Sequence, residues 1–230
     1  MYSYPSETRE AAAILDSSAP LTVSGWIPAF VQTPASVLWK RGFDVVGATL
    51  TLIFLLPFLL LVSAAIWLDS GGPVLFRQRR TGRNGIVFTV LKFRTMTVVE
   101  DGDQIAHAVQ GDARVTRVGA LLRISSLDEL PQLVNILRGE MSLVGPRPHA
   151  LAHDAHYGAL IPHYGDRFKV KPGLTGLAQV QGLRGEIKVL DDMSRRVDAD
   201  VDYANHWSFR DDLLILLRTI PIVLTQKNAY

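Results

Sequence analysis

Asp128 and Glu129 stand side by side inside "SSLDELPQLVNILRGEMSLVGPRP", residues 125 to 148. If Asp128 caps a helix, Glu129 is its first residue and Pro131 its third, where a missing N–H leaves no bond unmade. The same helix end favours phosphate, so a carboxylate there can share its position with an anionic substrate. Arg123 lies five residues earlier, and Arg147 follows between Pro146 and Pro148, which push it toward an extended backbone. Two arginines converging on a carboxylate make either a structural ion pair or a phosphoryl-transfer site. These residues alone leave both open.

A second cluster is basic. From Arg77 to Arg94 there are six cations, Arg77, Arg79, Arg80, Arg83, Lys92 and Arg94, and no acid. Beside a membrane such a run attracts anionic headgroups; Lys92 and Arg94, past a strand, can also face one phosphate. In "KPGLTG", Pro172 and Gly173 occupy the central positions of a type II turn, a loop able to offer backbone N–H groups. His149, His153 and His156 are spaced along one helical face, which reads as solvated because no H-E-x-x-H surrounds them. Serine-hydrolase and Walker motifs are absent from the sequence.

These residues need elements to position them. "PVLFRQ" and "IVFTVLKF" read as strands around "TGRNG", and "LPQLVNIL" as a helix ended by Gly139. Residues 96 to 113 read as a loop. Upstream, Val45 to Leu68 run 24 residues without a charge, past the roughly 18 needed for a membrane segment. Pro57 is the thirteenth of them and should bend the helix. Lys40 and Arg41 before the segment and the arginines after it all prefer the cytoplasmic side. A re-entrant hairpin bent at Pro57 satisfies both flanks, with arms of about 18 Å, enough for one leaflet. "DDLLILLRTIPIVL", 211 to 224, is apolar but too short to span and holds Arg218 and Pro221, so it reads as an interfacial helix or a core helix.

The expected organisation is a tail over 1–36, a membrane-inserted re-entrant helix over 37–69, and a mixed α/β catalytic domain over 70–230 on the cytoplasmic face. Its fold is a small sheet with helices, some amphipathic and interfacial. The tail lacks the basic start and apolar core of a secretory signal. With no cysteine there is no disulfide, thiolate nucleophile or Cys-ligated metal. A formal charge of +2 implies no nucleic-acid partner.

In order and spacing, "KRGFDV", "GPVLFRQRRTGRNGIVFTVLKFRTM", "SLDELPQLVNILRGEMSLVGPRP" and "KPGLTGLAQV" resemble the bacterial sugar transferases, monotopic polyprenyl-phosphate phosphoglycosyl transferases, over about residues 38 to 225. The resemblance implies a bacterial inner-membrane enzyme of exopolysaccharide or other surface glycan assembly. It moves a sugar 1-phosphate from a UDP-sugar to undecaprenyl phosphate and releases UMP. Asp128 would form a covalent phosphosugar intermediate, with Glu129 assisting and Mg²⁺ held by Asp128 and Glu129. Lys92, Arg94, Arg123 and Arg147 would hold phosphate or nucleotide, and Lys40, Arg41 and Asp44 would lie near the lipid headgroup. Partners would be the bilayer and, in some arrangements, a second copy as a homodimer. Smaller family members place a serine before the helix-breaking proline, where this chain has Leu56-Pro57, so Thr49 and Thr51 are the hydroxyls left to bond back to the backbone. The four extra spans of larger relatives are not in this sequence. The rival class is a non-catalytic, membrane-anchored module that binds lipid phosphate or nucleotide.

Overall fold

The computed structural model describes residues 34–97, 112–185, 187 and 189–225. The expected tail up to residue 33 and most of the loop expected over 96–113 lie outside these residues.

Helix α1, Pro34–Ser70, holds the whole uncharged run and Pro57. It starts on a proline, whose fixed φ suits a first turn, and its 37 residues span about 55 Å. One stripe faces the rest of the molecule along this length: Asp44, Ala48, Leu59, Val62 and Ile66 are buried, and Leu52 and Leu55 partly so. The opposite face is bare, with Leu50 64%, Ile53 66%, Phe54 83% and Leu61 71% exposed. Neither Thr49 nor Thr51 makes a side-chain hydrogen bond among the described residues; the hydroxyls that bond back are Ser63, to the Leu59 carbonyl at 2.7 Å, and Ser70, to the Ile66 carbonyl at 3.2 Å.

After Gly71 and Gly72, both left-handed, the chain forms the hairpin of β1, Leu75–Thr81, and β2, Val87–Phe93, paired antiparallel from Leu75 opposite Phe93 to Thr81 opposite Val87. Its alternation decides its faces: Phe88 and Val90 enter the core, while Arg77 and Arg79 point outward. The "TGRNG" turn closes through left-handed Asn84 and Gly85.

Helix α2, Arg117–Ser125, leads through a single 3₁₀ turn, Leu127–Glu129, into α3, Gln132–Arg138, which stops at left-handed Gly139 as its sequence requires. Buried Asn135 on α3 supplements the sheet. Its carbonyl oxygen accepts from the Leu91 amide at 3.0 Å, and its amide nitrogen donates to the Thr89 carbonyl and Glu140, each at 2.7 Å.

A second, parallel pair joins β3, Ser142–Val144, to β4, Gly173–Thr175. Between them lie α4, Leu151–Leu160, and a 3₁₀ segment, Tyr164–Lys169. The type II turn expected at "KPGLTG" is not formed. Gly173 is a strand residue without positive φ, and it is glycine because a Cβ would strike the backbone of Gly145. Short α5, Leu177–Val180, then α6, Leu190–His206, and α7, Phe209–Thr225, complete the fold.

The main core combines Phe88 and Val90 with Leu133, Ile136, Met141, Val144, Tyr203 and Ile215, and Ala48 of α1 belongs to it. A second cluster unites Leu59, Val62 and Ile66 with Phe93 and Leu122. The segment 211–224 therefore serves two environments. Asp212 and Ile215 are buried, whereas Leu217 and Ile220 on the other face are exposed.

Candidate active site

The turn carrying Asp128 is set by Ser126, the residue where two helical segments meet. Ser126 adopts φ 58, ψ 16, ending α2 and starting the 3₁₀ turn at once. Its N–H bonds the Arg123 carbonyl, its own carbonyl accepts from the Glu129 amide, and its hydroxyl accepts from Arg184 at 2.5 Å. Left-handed backbone in a non-glycine residue persists where its surroundings hold it, and three anchors hold this one. Asp128 is consequently not the helix cap expected from sequence. The Glu129 and Leu130 amides bond back to Ser126 and Leu127, and the Leu133 and Val134 amides to Leu130 and Pro131, so the junction runs into α3 without needing a side-chain acceptor.

Freed from capping, Asp128 makes no hydrogen bond among the described residues and stays part-exposed. Glu129 behaves oppositely. Arg147 grips it with both terminal guanidinium nitrogens, at 3.0 and 2.5 Å, and Lys92 adds a third bond at 3.0 Å. A carboxylate 6% exposed needs such partners, since an uncompensated buried charge costs several kcal/mol.

The two acids therefore differ electrostatically. Burial, then the neighbouring Glu129 charge, push the Asp128 carboxyl up to about 6, against Lys92, Arg147 and Arg123. Burial works upward on Glu129 too, but Arg147 and Lys92 outweigh it and hold that carboxyl well below its usual range. Burial lowers Lys92, with Glu129 opposing. Arg184 also acts on this pair, so four cations, Lys92, Arg123, Arg147 and Arg184, surround two carboxylates. The site thus holds an excess of positive charge together with one carboxylate that is not bonded to any of it.

Of the residues singled out from sequence, Asp128, Glu129, Lys92, Arg123 and Arg147 are brought together. Arg94 is not. It leaves the end of β2 to donate to the Ser70 hydroxyl at 2.8 Å and to the Gly71 carbonyl, closing the C-terminus of α1 whose last carbonyls lack partners. Lys40, Arg41 and Asp44 form a separate group that fastens α1 to the domain. Lys40 donates to Asp212 at 2.6 Å and the Val144 carbonyl at 3.1 Å; Arg41 caps α3 through the Ile136 and Leu137 carbonyls at 2.5 and 2.7 Å. Asp44, 2% exposed, accepts from the Ser142 hydroxyl and the Leu143 amide, both at 2.9 Å. His149 departs from the expected solvated face. It precedes α4 and is buried beside Tyr164 and Arg167, while His156 is exposed.

Sequence reasoning missed Ser126 and Arg184, whose roles arise from a contact across 58 residues. Arg184 and Glu129 are the charged groups lining a cleft of about 200 Å³ between the turn, α5 and α7, whose walls include Leu127, Leu130, Leu174, Val180, Leu216 and Ile222. No cluster of three or more His, Cys, Asp or Glu side chains suited to a metal occurs among the described residues. The donor set offers the free Asp128 carboxylate, since both Glu129 oxygens are already engaged by cations. That fits Mg²⁺ arriving with substrate phosphates, the ordinary mode for this ion, and does not fit an all-protein cage.

Comparison with known proteins gives the family. The family model "Bacterial sugar transferase" matches residues 35–226. A UDP-glucose:undecaprenyl-phosphate glucose-1-phosphate transferase of Caulobacter vibrioides is 56% identical over 193 residues, covering 84% of this chain and 72% of that protein. The Escherichia coli K12 protein of the same name is 48% identical over 84% of this chain but only 42% of its own length. An exopolysaccharide production protein PSS of Rhizobium leguminosarum is 43% identical over 83% of this chain and 98% of its own length. With a match over nearly all of its described residues and a site built from the motifs that carry it, the chain belongs to the bacterial sugar transferase family.

Proposed function

We propose that this protein transfers glucose 1-phosphate from UDP-glucose to undecaprenyl phosphate and releases UMP, through a phosphosugar ester of Asp128. The observation that carries the reading is an unbonded carboxylate amid surplus cations. A diphosphate neutralises that surplus, and a carboxylate held in place by its turn is a competent phosphoryl acceptor. Glucose is taken from the named activity of the Caulobacter and Escherichia relatives; because this chain spans less than half of the latter, substrate and pathway are inferences from likeness.

In the first half-reaction an Asp128 oxygen attacks the phosphorus bonded to the sugar. The P–O bond to UMP breaks, and its electron pair leaves with UMP. In the second, an oxygen of undecaprenyl phosphate attacks the same phosphorus and the acyl-phosphate bond breaks, restoring the Asp128 carboxylate and giving the lipid diphosphate sugar. Arg147 and Lys92 keep Glu129 ionised beside Asp128. Arg123 and Arg184 remain to receive phosphate oxygens, and the apolar cleft beside Arg184 suits the first isoprene units of the acceptor. Mg²⁺, held by Asp128 and the diphosphate, would supply charge neutralisation for the leaving UMP.

The enzyme works at the cytoplasmic face of the bacterial inner membrane, with α1 entering and leaving the bilayer on one side. α1 is one helix through Pro57, and its buried stripe supports attachment from one side: Asp44 and Ala48 before that proline and Leu59, Val62 and Ile66 after it pack on the same domain, while the free face carries the exposed apolar residues. Leu213, Leu214 and Leu217 of α7 are exposed as well, in keeping with an interfacial helix.

The test incubates the purified protein with labelled UDP-glucose and Mg²⁺ without acceptor. Label should remain bound to wild type and not to Asp128→Asn. Absence of both bound label and UMP across a panel of UDP-sugars, with undecaprenyl phosphate supplied, removes the proposal and leaves the binding-module reading.

A further inference from the structure

The Arg147 side chain matters through its grip on Glu129, and nothing in that grip explains what aims it. The backbone behind it does. Along the loop after β3, the Val144 carbonyl accepts from Lys40 and from the Tyr203 hydroxyl, at 3.1 and 3.0 Å. The Gly145 amide bonds the Thr175 carbonyl, and the Pro146 carbonyl accepts from the Gly173 amide, each at 2.9 Å. The Pro148 carbonyl accepts from Arg80 at 3.2 Å. At the centre, the Arg147 carbonyl accepts from Arg167 at 2.6 Å.

Arg167 is buried, 2% exposed, on the 3₁₀ segment Tyr164–Lys169. The nitrogen that bonds the Arg147 carbonyl also donates to Asp200 at 2.7 Å. Its other terminal nitrogen donates to the Tyr164 hydroxyl at 3.0 Å and to His149 Nδ1 at 2.7 Å. Asp154, which receives the Tyr164 hydroxyl at 2.6 Å, lies 3.6 Å from it. Burying such a pair seldom adds stability over apolar residues of like volume, because desolvation offsets the attraction. A forked donor that spans a carboxylate and a loop carbonyl has a geometric use that apolar residues lack.

We propose that Arg167 is a positioning residue for the transfer reaction: neutralised by Asp200, it holds the Arg147 carbonyl and so aims the Arg147 side chain at Glu129. The inference rests on the function proposed above. Asp128 is faced by Glu129 on its own turn, Lys92 from β2, Arg123 from α2, Arg184 from beyond α5, and Arg147 from this loop. Withdrawing Arg147 removes one attraction from both carboxylates, so their titration moves toward neutral pH.

The decisive variant is the double substitution Arg167→Met with Asp200→Leu in the full chain, which deletes the pair and leaves Asp154 its bond from the Tyr164 hydroxyl. It should melt near the wild-type temperature. The kcat for UMP release should fall roughly ten- to a hundredfold, the loss expected of a misplaced catalytic contact. The acid limb of kcat/KM against pH should rise by about one unit, a shift equivalent to a tenfold change in proton affinity. Amide exchange should quicken over residues 144–150. A folded double variant with kcat within twofold and an unmoved limb overturns the proposal, as does unchanged exchange. If the double variant melts early, Arg167→Lys carries the same expectations, because one ammonium cannot take the places of both terminal nitrogens, which between them hold Asp200, the Arg147 carbonyl, the Tyr164 hydroxyl and His149 Nδ1. A wild type that releases no UMP defeats the proposed function, while the exchange comparison still decides what Arg167 holds.

Discussion

Glu129→Gln replaces a buried carboxylate with an amide of the same shape and so isolates its charge. In the native site that charge is the second-largest influence raising Asp128 to about 6, and it occupies Arg147 and Lys92. Without it both cations turn their attraction on Asp128. A return to 3.8 would be two units, about 3 kcal/mol. Burial is the larger influence and remains, so roughly half that shift is expected, to an apparent pKa between about 4.5 and 5. The assay is kcat/KM for UMP release from pH 4.5 to 9, which reports groups of the free enzyme. Wild type should lose activity below about pH 6, as about nine-tenths of Asp128 is protonated one unit lower. The variant should have a lower plateau but hold it at least one unit further into acid. An acid limb at the wild-type position, or above it, refutes the electrostatic account of the pair. Stability has a definite sign as well. Asp128, with its folded pKa above 3.8, weakens the fold as pH rises from about 4 to 6; Glu129, with its folded pKa below 4.5, stabilises above that value and loses its contribution as pH falls.

Three other outcomes follow from the contacts. Arg147→Met leaves Glu129 with Lys92 alone; since the arginine is itself 27% exposed, a loss of about 2 kcal/mol is expected, seen as a melting shift of roughly 4–8 °C, with UMP release abolished and membrane pelleting retained. Lys40→Met strands the fully buried Asp212 carboxylate, at a cost of about 3–5 kcal/mol, measurable as faster proteolysis of the folded protein. Because the chain has no cysteine, Ser18→Cys and Arg77→Cys give unique labelling sites on either side of α1. Neither should react with an impermeant maleimide in intact cells and both should react in inverted vesicles; external labelling at one of them means α1 crosses the bilayer.

What the sequence disclosed depended on how local each signal was. The β1–β2 hairpin, α3 with its Gly139 stop and the long apolar helix are written in short-range patterns of period, turn residues and length, and they appear where expected. The strands β3 and β4 are three residues each, too short for periodicity to register. The glycine of "KPGLTG" suggested a turn able to offer backbone N–H groups, whereas the use of Gly173, and of Gly145 opposite it, is backbone-to-backbone approach. At the site, Asp128, Glu129, Lys92 and Arg147 were legible because their motifs are compact. Strand alternation put Arg94 beside Lys92, but β2 ends one residue before it and its guanidinium turns to the end of α1. Arg167, Arg184 and Ser126 gave no signal, since their contacts join residues 20 to 58 positions apart.

Lys40, Arg41, Asp44 and Ala48 make the long apolar helix α1 a structural member of the domain that follows it. A fragment starting after Ser70 would lose the donors to Val144 and Ile136 and one wall of its interior, so trimming the hydrophobic portion should give insoluble or unfolded material by circular dichroism. Grafting an unrelated anchor onto the remainder should fare no better, since generic hydrophobicity cannot replace those specific bonds. Keeping α1 together with the domain is therefore a requirement of its architecture.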